Sequence, residues 1–375
     1  MQKRVGLERP ILNSDINFPL CLAPMVGLSH VALRLVVREY MPANAKTIWP
    51  TEMLNSRRIP GEDLTTTPET LRETFETELV PQILGNEEKP ISDSVKKLIH
   101  EWGAEGIDIN MGCPVQKALK HNYGVALMGD PDYAARVVEM TVKNSTVPVS
   151  VKLRAAPQPG KKVETLTDAS EIISPYANES DFSYLHNFVK GIENAGASWL
   201  CLHPRTAAQK RRGFADWSQI RNLREVTSLP LIGNGDIQTA EDAMNMLTET
   251  GCDMAMAGRA LAARPWMMWQ FGEMMGFEPP QGREGQRAPQ GPREEGAEYG
   301  RALLQLIEYC GRYFREDLAM RKIRFYVRTT EVWLDFGQSL VGICAKAKNL
   351  QELQVLVKEF FEAPIEMCSH TELRQ

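Results

Sequence analysis

Eight short apolar runs, spread over the first 260 residues, constrain the fold more than any other feature of the chain. Within each run apolar residues follow one another almost without interruption, whereas a strand with one face in water would alternate. Such runs are typical of strands that are buried on both faces of a parallel sheet. The runs are LCLAPMVG (20–27), AKTIWPTEM (45–53), LVPQILG (79–85), GIDINMG (106–112), VSVKLR (149–154), SWLCLHP (198–204), LPLIGNG (229–235) and CDMAMAG (252–258).

Helical patterns lie between several of these runs. Thr239 is a capping residue with Asp242 three positions later, and Gly251 ends the same segment. Asp130 followed by Pro131 marks the start of another helix. Eight strands joined by helical crossovers predict an α/β fold, a (β/α)₈ TIM barrel. The alternative is an open doubly wound sheet, but no GxGxxG follows the first run.

Two polar segments divide the chain. Residues 156–181 carry Pro and Gly and interrupt the crossover after the fifth run, which predicts a loop or lid insertion. Residues 278–298 are rich in Gly, Pro and charge, which predicts a flexible linker. Helical periodicity returns beyond it. We therefore expect a barrel domain over 1–277 and a small helical domain over 299–375.

Charge and cysteine usage indicate the compartment and the class of ligand. A net charge of −5 gives no global nucleic-acid signal, so any basic surface must be local. The seven cysteines have no CxxC spacing, which argues for a reducing compartment and against a zinc site or disulfide framework. The amino terminus lacks a secretory apolar core, and no apolar run reaches the ~18 residues that span a bilayer. We expect a cytoplasmic protein with no metal and no membrane partner.

Polar residues cluster where the apolar runs end, and in a TIM barrel the carboxyl ends of the strands form the active site. Cys113 lies on a glycine–proline turn after the fourth run. Lys152 lies inside the fifth run, where burial requires a paired anion. Glycine-rich turns after the seventh and eighth runs expose N–H groups that suit a phosphate. Each residue alone is also typical of a core or surface position, but together they predict a phosphorylated cofactor in the barrel mouth.

The chain resembles the dihydrouridine synthases of bacterial type, the FMN-dependent enzymes that reduce uridine in tRNA. The similar stretches occur in the order of that family and span most of residues 20–270. NMGCP followed by HPRT and NGDI is a specific combination. The similar stretches are APMVGLSH (23–30), PQILG (81–85), DINMGCPVQK (108–117), YGVALM (123–128), VSVKLR (149–154), LHPRT (202–206), IGNGDI (232–237) and AGRALAARPW (257–266).

This resemblance implies FMN as the bound cofactor and NADPH, or NADH, as the reductant. Cys113 would be the general acid that protonates C5 of the uracil after flavin N5 gives hydride to C6. A thiol with an ordinary pKa of ~8.5 is protonated at neutral pH yet can release its proton in the transition state. Asn110 and Arg205 would contact the substrate. The residues implied to bind FMN are Pro24, Met25, Val26, Gln82, Lys152, His203, Asn234, Gly235, Asp236, Gly258 and Arg259.

The resemblance also makes the helical domain the part that holds tRNA. Arg321, Arg324 and Arg328 fall at helical spacing on one predicted face. Residues 299–348 contain nine Lys and Arg against five Asp and Glu, a local excess of positive charge in an acidic chain. The neighbouring aromatic residues, Phe325, Tyr326 and Trp333, are interpreted as core. The basic run Lys210, Arg211 and Arg212 fits a phosphate contact and a solvated loop equally well.

Several readings remain open at this point. As a nucleophile, Cys113 would need an adjacent base, and His121 is near it only in sequence. A flavin barrel acting on a free pyrimidine, like the dihydroorotate dehydrogenases, would explain the cofactor residues but not the helical domain. A non-catalytic RNA-binding protein would not need Cys113. Ribosomal RNA is an alternative substrate to tRNA. The resemblance implies a monomer, whereas the target uridine and the choice between NADPH and NADH are not set.

Overall fold

The computed structural model describes residues 7, 9–12, 15–155, 182–207, 209 and 213–372, and for Gln116 and Lys117 the backbone alone. The predicted insertion at 156–181 lies outside these described residues. So do Lys210, Arg211 and Arg212 of the basic run. The two readings of that run therefore stay predictions.

Eight parallel strands form the centre of the molecule, and each lies within one of the eight apolar runs or overlaps it. In space they follow chain order, β2 beside β3 and so on to β8, which pairs with β1. The open edges of the sheet meet at β1 and β2. Thr47, just before β2, donates its Oγ1 hydrogen to the Leu20 carbonyl of β1 at 2.8 Å. The TIM-barrel prediction is confirmed. The strands are β1 (Leu20–Leu22), β2 (Trp49–Asn55), β3 (Leu79–Leu84), β4 (Ile107–Met111), β5 (Val149–Arg154), β6 (Trp199–His203), β7 (Leu231–Asn234) and β8 (Met254–Ala257).

Helices connect most of the successive strands, as the sequence pattern predicts, but in the segment between β2 and β3 the only helical element is a short 3-10 turn, Ile59–Gly61. The expected capping box of Thr239 and Asp242 is present, and Gly251 ends that helix in the left-handed conformation. Asp130 caps the helix that begins at Pro131. No helix in the described part of the chain is long and apolar enough to cross a membrane. The helices are α1 (Val31–Arg38), α2 (Glu88–His100), α3 (Gln116–Lys120), α4 (Pro131–Lys143), α5 (Ser183–Asn194), α6 (Trp217–Val226), α7 (Ala240–Thr250), α8 (Arg259–Ala263) and α9 (Met267–Met275).

Alternation along each strand separates two buried layers. In β5, Val149, Val151 and Leu153 join the large core between strands and helices, whereas Ser150 and Lys152 do not. A second apolar cluster contains Cys21, Cys201, Ile232, Met254 and Met256, which alternate with members of the large core in β1, β6, β7 and β8. This second cluster fills the barrel interior. Residues of the same parity at the carboxyl ends of the strands therefore point into the mouth of the barrel.

Four further helices follow the barrel and form the expected helical domain. They pack against one another and against the α1 side of the barrel around buried Tyr299, Leu303, Ile323 and Val327. The helices are α10 (Gly291–Tyr313), α11 (Glu316–Thr330), α12 (Gly337–Lys346) and α13 (Leu350–Phe360).

The segment predicted as a flexible linker, 278–298, is shorter and more tightly held than its composition indicates. Helix α10 begins at Gly291, so the last eight residues of that segment are helical. Pro292 occupies the first turn of α10, where its missing N–H is tolerated. Ala288 is fully buried, and its N–H donates to Glu273 Oε1 at 2.6 Å. Local composition indicated disorder, but contacts with the barrel order the segment.

Buried polar contacts join the helical domain to the barrel. Tyr40 Oη donates to Glu298 Oε1 at 2.6 Å, and Tyr326 Oη donates to the Ala262 carbonyl at 2.9 Å. Trp333 Nε1 donates to the side chain of Gln238 at 3.0 Å. Moving the domains apart would leave these buried donors and acceptors without partners, which costs free energy. The contacts therefore hold the two domains in one arrangement.

The contact between Tyr40 and Glu298 gives a test of this docking. Tyr40→Phe removes a donor from a fully buried carboxylate, so we expect the free energy of unfolding to fall by about 1–2 kcal/mol. Tyr309→Phe is the matched control, because it removes a tyrosine–Glu39 contact between the same domains at an exposed position. It should change stability by less than about 0.5 kcal/mol. Urea denaturation measures both, and equal losses would contradict a docking role for the buried contact.

Candidate active site

A pocket opens at the carboxyl ends of the strands and receives residues from all eight. It brings together every residue expected at the cofactor, the thiol and the uracil, fourteen positions spread over 236 residues of sequence. The helical-domain arginines lie outside it. The predicted residues that line the pocket are Pro24, Met25, Val26, Gln82, Asn110, Cys113, Lys152, His203, Arg205, Asn234, Gly235, Asp236, Gly258 and Arg259.

The turn that carries Cys113 is built around the Asn110 side chain. Asn110 Oδ1 accepts the N–H groups of Gly112 and Cys113 at 3.1 and 2.9 Å, an Asx turn directly after β4. Gly124 packs on the other side of the turn with a φ of +58°, and a Cβ there would lie 2.6 Å from the Cys113 carbonyl oxygen. The glycine of YGVALM therefore lets the chain close tightly around the cysteine.

A chain of hydrogen bonds runs from the barrel interior to this turn. Asn110 Nδ2 donates to Gln82 Oε1 at 2.7 Å, and Gln82 Nε2 donates to Asp108 Oδ2 at 2.6 Å. Ser150 Oγ donates to the other oxygen of Asp108 at 2.6 Å. Because this Asp108 oxygen accepts from the amide nitrogen of Gln82, the amide oxygen of Gln82 faces Asn110. The amide of Asn110 is fixed in turn, and one of its N–H bonds remains for a ligand.

The thiol of Cys113 is held in its protonated form. Burial raises its pKa, while the Val115 backbone N–H and the charge of Arg154 lower it by smaller amounts. Arg154 Nε also donates to the Gly112 carbonyl at 2.8 Å. His121 lines a neighbouring cavity and stacks against Tyr123 rather than entering this pocket. These observations favour a proton donor over a nucleophile, which would need a lowered pKa and an adjacent base.

Positive charge dominates the rest of the pocket. Among the described residues, four cationic side chains line it, against one carboxylate, that of Asp236. Lys152 Nζ contacts the neutral Asn234 Oδ1 at 3.0 Å, and among the described residues no carboxylate lies within 4.0 Å of it. A partly buried ammonium group without a counter-ion is costly, so this end of the pocket suits an anionic ligand. The cationic lining residues are Lys152, Arg154, Arg205 and Arg259.

Arg205 and Asp236, both expected to contact a ligand, form contacts within the wall of the pocket. The guanidinium of Arg205 pairs with the carboxylate of Asp236 and also donates to the Gly213 carbonyl. Asp236 Oδ2 accepts the Ala215 N–H at 2.6 Å. The Asp236 carboxylate therefore neutralises Arg205 and holds the loop after β6. The group of Asp236 that remains for a phosphate ligand is its backbone N–H.

His203 is neutral at physiological pH and closely packed. Burial lowers its pKa well below the ordinary value, and the nearby charges of Arg154, Lys152, Arg205 and Arg259 lower it further. Gly235, with a φ of +117°, lies so close that a Cβ would be 3.0 Å from His203 Cδ2 and 2.7 Å from the Ala215 side chain. Only glycine fits this turn, which leaves its backbone open to the pocket.

Comparison with known proteins gives a consistent result. The family model described as "Dihydrouridine synthase (Dus)" matches residues 21–174 and 178–329. The chain belongs to the dihydrouridine synthase family.

Its relatives cover the barrel and the helical domain alike. A "Probable tRNA-dihydrouridine synthase" of Mycobacterium tuberculosis is 30% identical over 350 residues, 92% of this chain and 82% of that one. The "tRNA-dihydrouridine synthase B" of Vibrio vulnificus is 27% identical over 353 residues, 91% of this chain and 96% of that one. A protein of Rhizobium leguminosarum bv. phaseoli is 34% identical over 245 residues, 65% of this chain and 69% of that one. The similarity thus includes the cysteine turn, the cationic pocket and most of α11.

Sequence reasoning missed several residues that line this dihydrouridine synthase pocket, among them Arg154 and Met53. Arg154 lines the pocket beside Cys113. It lies two residues after Lys152 in β5 and therefore points to the same side of the strand, and this spacing could have identified it from the sequence. Met53 also lines the pocket, at the carboxyl end of β2. An apolar residue in an apolar run carries no such signal.

The predicted basic face of the helical domain is only partly correct. Arg321 and Arg328 are exposed, but Arg324 donates to the Cys344 and Ala347 carbonyls at 3.0 and 2.8 Å. Arg324 therefore caps α12 instead of facing solvent. Tyr326 and Trp333 are buried, as interpreted, whereas Phe325 is 45% exposed and is not a core residue.

The raised pKa of Cys113 predicts how its reactivity depends on pH. Iodoacetamide reacts with the thiolate, so alkylation of Cys113 should rise about tenfold per pH unit from 7 to 9 without reaching a plateau. Arg154→Met removes a charge that lowers this pKa, so its profile should shift to higher pH. Peptide mass spectrometry after timed labelling measures both rates. A plateau below pH 8 would show a lowered pKa and contradict the proton-donor assignment.

Proposed function

We propose that this protein reduces the C5–C6 bond of specific uridines in tRNA to 5,6-dihydrouridine, with FMN as bound cofactor and NADPH or NADH as reductant. The observation that carries the proposal is one pocket that combines a protonated thiol with a cationic, glycine-lined end. Cys113 follows β4, and Gly258 follows β8, on the far side of an eight-stranded barrel. The tRNA-dihydrouridine synthase names of its relatives support the substrate.

The described residues fit FMN. Arg259 and the backbones of Gly235 and Gly258 would hold the phosphate, with neutral His203 beside them. Lys152 and the free N–H of the Gln82 amide would contact the polar edge of the isoalloxazine. The rest of the contacts implied for FMN come from Pro24, Met25, Val26, Asn234 and Asp236. When bound and reduced, FMN supplies the hydride that is added to C6.

The protein itself supplies the proton. The Cys113 thiol gives its proton to C5, so the C5–C6 double bond gains one hydride and one proton. Arg154 and the Val115 N–H stabilise the thiolate that remains, until it takes a proton from water. General acids of this kind contribute about 10²–10⁴-fold to a rate. The remaining N–H of Asn110 would orient the uracil against the thiol.

The target base must leave its stack to reach this pocket, which costs a few kcal/mol. Contacts of the helical domain with the rest of the tRNA would offset that cost. These contacts would include the exposed Arg321 and Arg328 on α11. We propose that the protein acts as a monomer, as the family resemblance implies. We place the reaction in the cytoplasm, where tRNA and reduced nicotinamide coenzymes occur together.

Nucleoside mass spectrometry tests the reaction and the proton donor together. Unmodified tRNA incubated with the FMN-loaded protein and NADPH should gain dihydrouridine, and Cys113→Ala should reduce the rate about 10²–10⁴-fold. Cys368→Ala, at the exposed cysteine, is the matched control and should behave as wild type. If wild-type protein oxidises NADPH but forms no dihydrouridine in tRNA, the tRNA assignment is wrong. Ribosomal RNA, uracil and orotate would then be assayed as substrates.

Two substitutions separate the contacts with the phosphate from those with the flavin ring. Arg259→Gln should weaken FMN binding at least about tenfold and leave riboflavin binding unchanged, because riboflavin lacks the phosphate. Lys152→Met should weaken both, because Lys152 is assigned to the ring. Quenching of flavin fluorescence during titration of the apoprotein measures the four affinities. Equal loss of riboflavin and FMN binding in Arg259→Gln would contradict the phosphate site.

A further inference from the structure

Helix α11 carries an exposed aromatic residue between two exposed arginines. Arg321, Phe325 and Arg328 lie at positions i, i+4 and i+7, which share one face of a helix, and we call them the α11 face. Phe325 is 45% exposed, whereas the other apolar residues of the helix from Ala319 onward are buried. Arg321 lies 3.6 Å from Asp317, but this surface pair is largely solvated and contributes little. Both arginines therefore remain available to an anionic partner.

The ring of Phe325 lies at the edge of the active-site pocket. A Cβ on Gly27 would be 2.9 Å from Phe325 Cε1, so the ring packs directly on the backbone of that glycine. Gly27 has a φ of +82° and follows Val26, which lines the pocket and is 62% exposed. The helical domain thus places a half-exposed aromatic ring beside the entrance through which, in the proposed function, the target base must pass.

A buried ion pair holds the α11 face in this position. Lys322, in the same helical turn as Phe325, lies 3.5 Å from the Glu52 carboxylate, and both side chains are more than 90% buried. Glu52 also accepts the N–H of Gly27. The loop after β1 and helix α11 are therefore joined through one carboxylate on β2. The ring does not need to be ordered when a partner binds, which lowers the entropic cost of binding.

We propose that the α11 face is a stacking site for an unpaired nucleotide that flanks the target uridine. This inference rests on the proposed function and deepens it. Extrusion of the target base leaves a neighbouring base without its stacking partner. An aromatic ring replaces that partner for any base, and the two arginines match the flanking phosphates in charge. The site would hold the strand open at the pocket without reading its sequence.

Three substitutions at Phe325 test the stacking role by equilibrium binding of unmodified tRNA to the FMN-loaded protein without NADPH. Phe325→Ala should weaken binding about tenfold, which corresponds to about 1.4 kcal/mol. Phe325→Leu should bind as weakly as Phe325→Ala, because leucine keeps apolar bulk but has no π-face. Phe325→Trp, which keeps a π-face, should bind with the affinity of the wild type. Phe336→Ala, at another exposed phenylalanine of the helical domain, is the control and should bind as wild type. Unchanged flavin absorbance in each variant shows that the pocket is intact.

Salt dependence separates stacking from charge. Arg328→Gln should lower the slope of log affinity against log salt concentration by about one, whereas Phe325→Ala should leave the slope unchanged. Wild-type binding by Phe325→Ala, or by Phe325→Leu, would overturn the stacking site. Dihydrouridine formation by the wild type, measured in parallel, tells the two failures apart. If it persists, only the stacking site is wrong; if the wild type neither binds nor modifies tRNA, the proposed function fails as well.

Discussion

The buried hydrogen bonds that link Asp108, Gln82, Asn110 and the Cys113 turn determine the geometry of the reactive end of the pocket. Burial raises the pKa of Asp108, while its contacts with Gln82 and Ser150 lower it. The carboxylate is costly to bury, and its two short hydrogen bonds compensate part of that cost. These hydrogen bonds give the side-chain amides of Gln82 and Asn110 one orientation each. The position of the thiol is therefore set from the barrel interior rather than by a surface loop.

The second determinant is the fixed docking of the helical domain. Tyr326 reaches a carbonyl of α8, which follows directly on the glycine end of the pocket, and Lys322 reaches Glu52 under the loop after β1. The glycine-lined end of the pocket and helix α11 are thereby parts of one packed unit. In the function proposed above, this fixed docking would let the helical domain hold the RNA while the pocket positions one base, at little further entropic cost.

The errors of sequence reasoning have a common physical cause. Arg324 has the same local pattern as Arg321 and Arg328, but the end of α12 happens to lie within its reach. Phe325 is apolar in an amphipathic helix, yet the barrel leaves its ring half open at the pocket edge. Arg205 and Asp236 line the pocket as predicted, but they also pair with each other, a contact that neither local pattern reports. In each case the deciding partner is distant in sequence, or lies on another element, so no local pattern reports it.

The eight-stranded order, most of the helices between the strands and the end of the barrel that carries the site follow from sequence alone. Apolar runs must be buried on both faces, crossovers between parallel strands have one handedness, and period-two alternation sends one set of residues to the interior. Motif similarity adds the family. Tertiary structure alone decides which polar side chains at the mouth remain available to a ligand and which are used up by one another. It also decides where the helical domain sits, because a hydrogen bond or ion pair depends on ångström-scale distances between elements that the chain brings together only when it is folded.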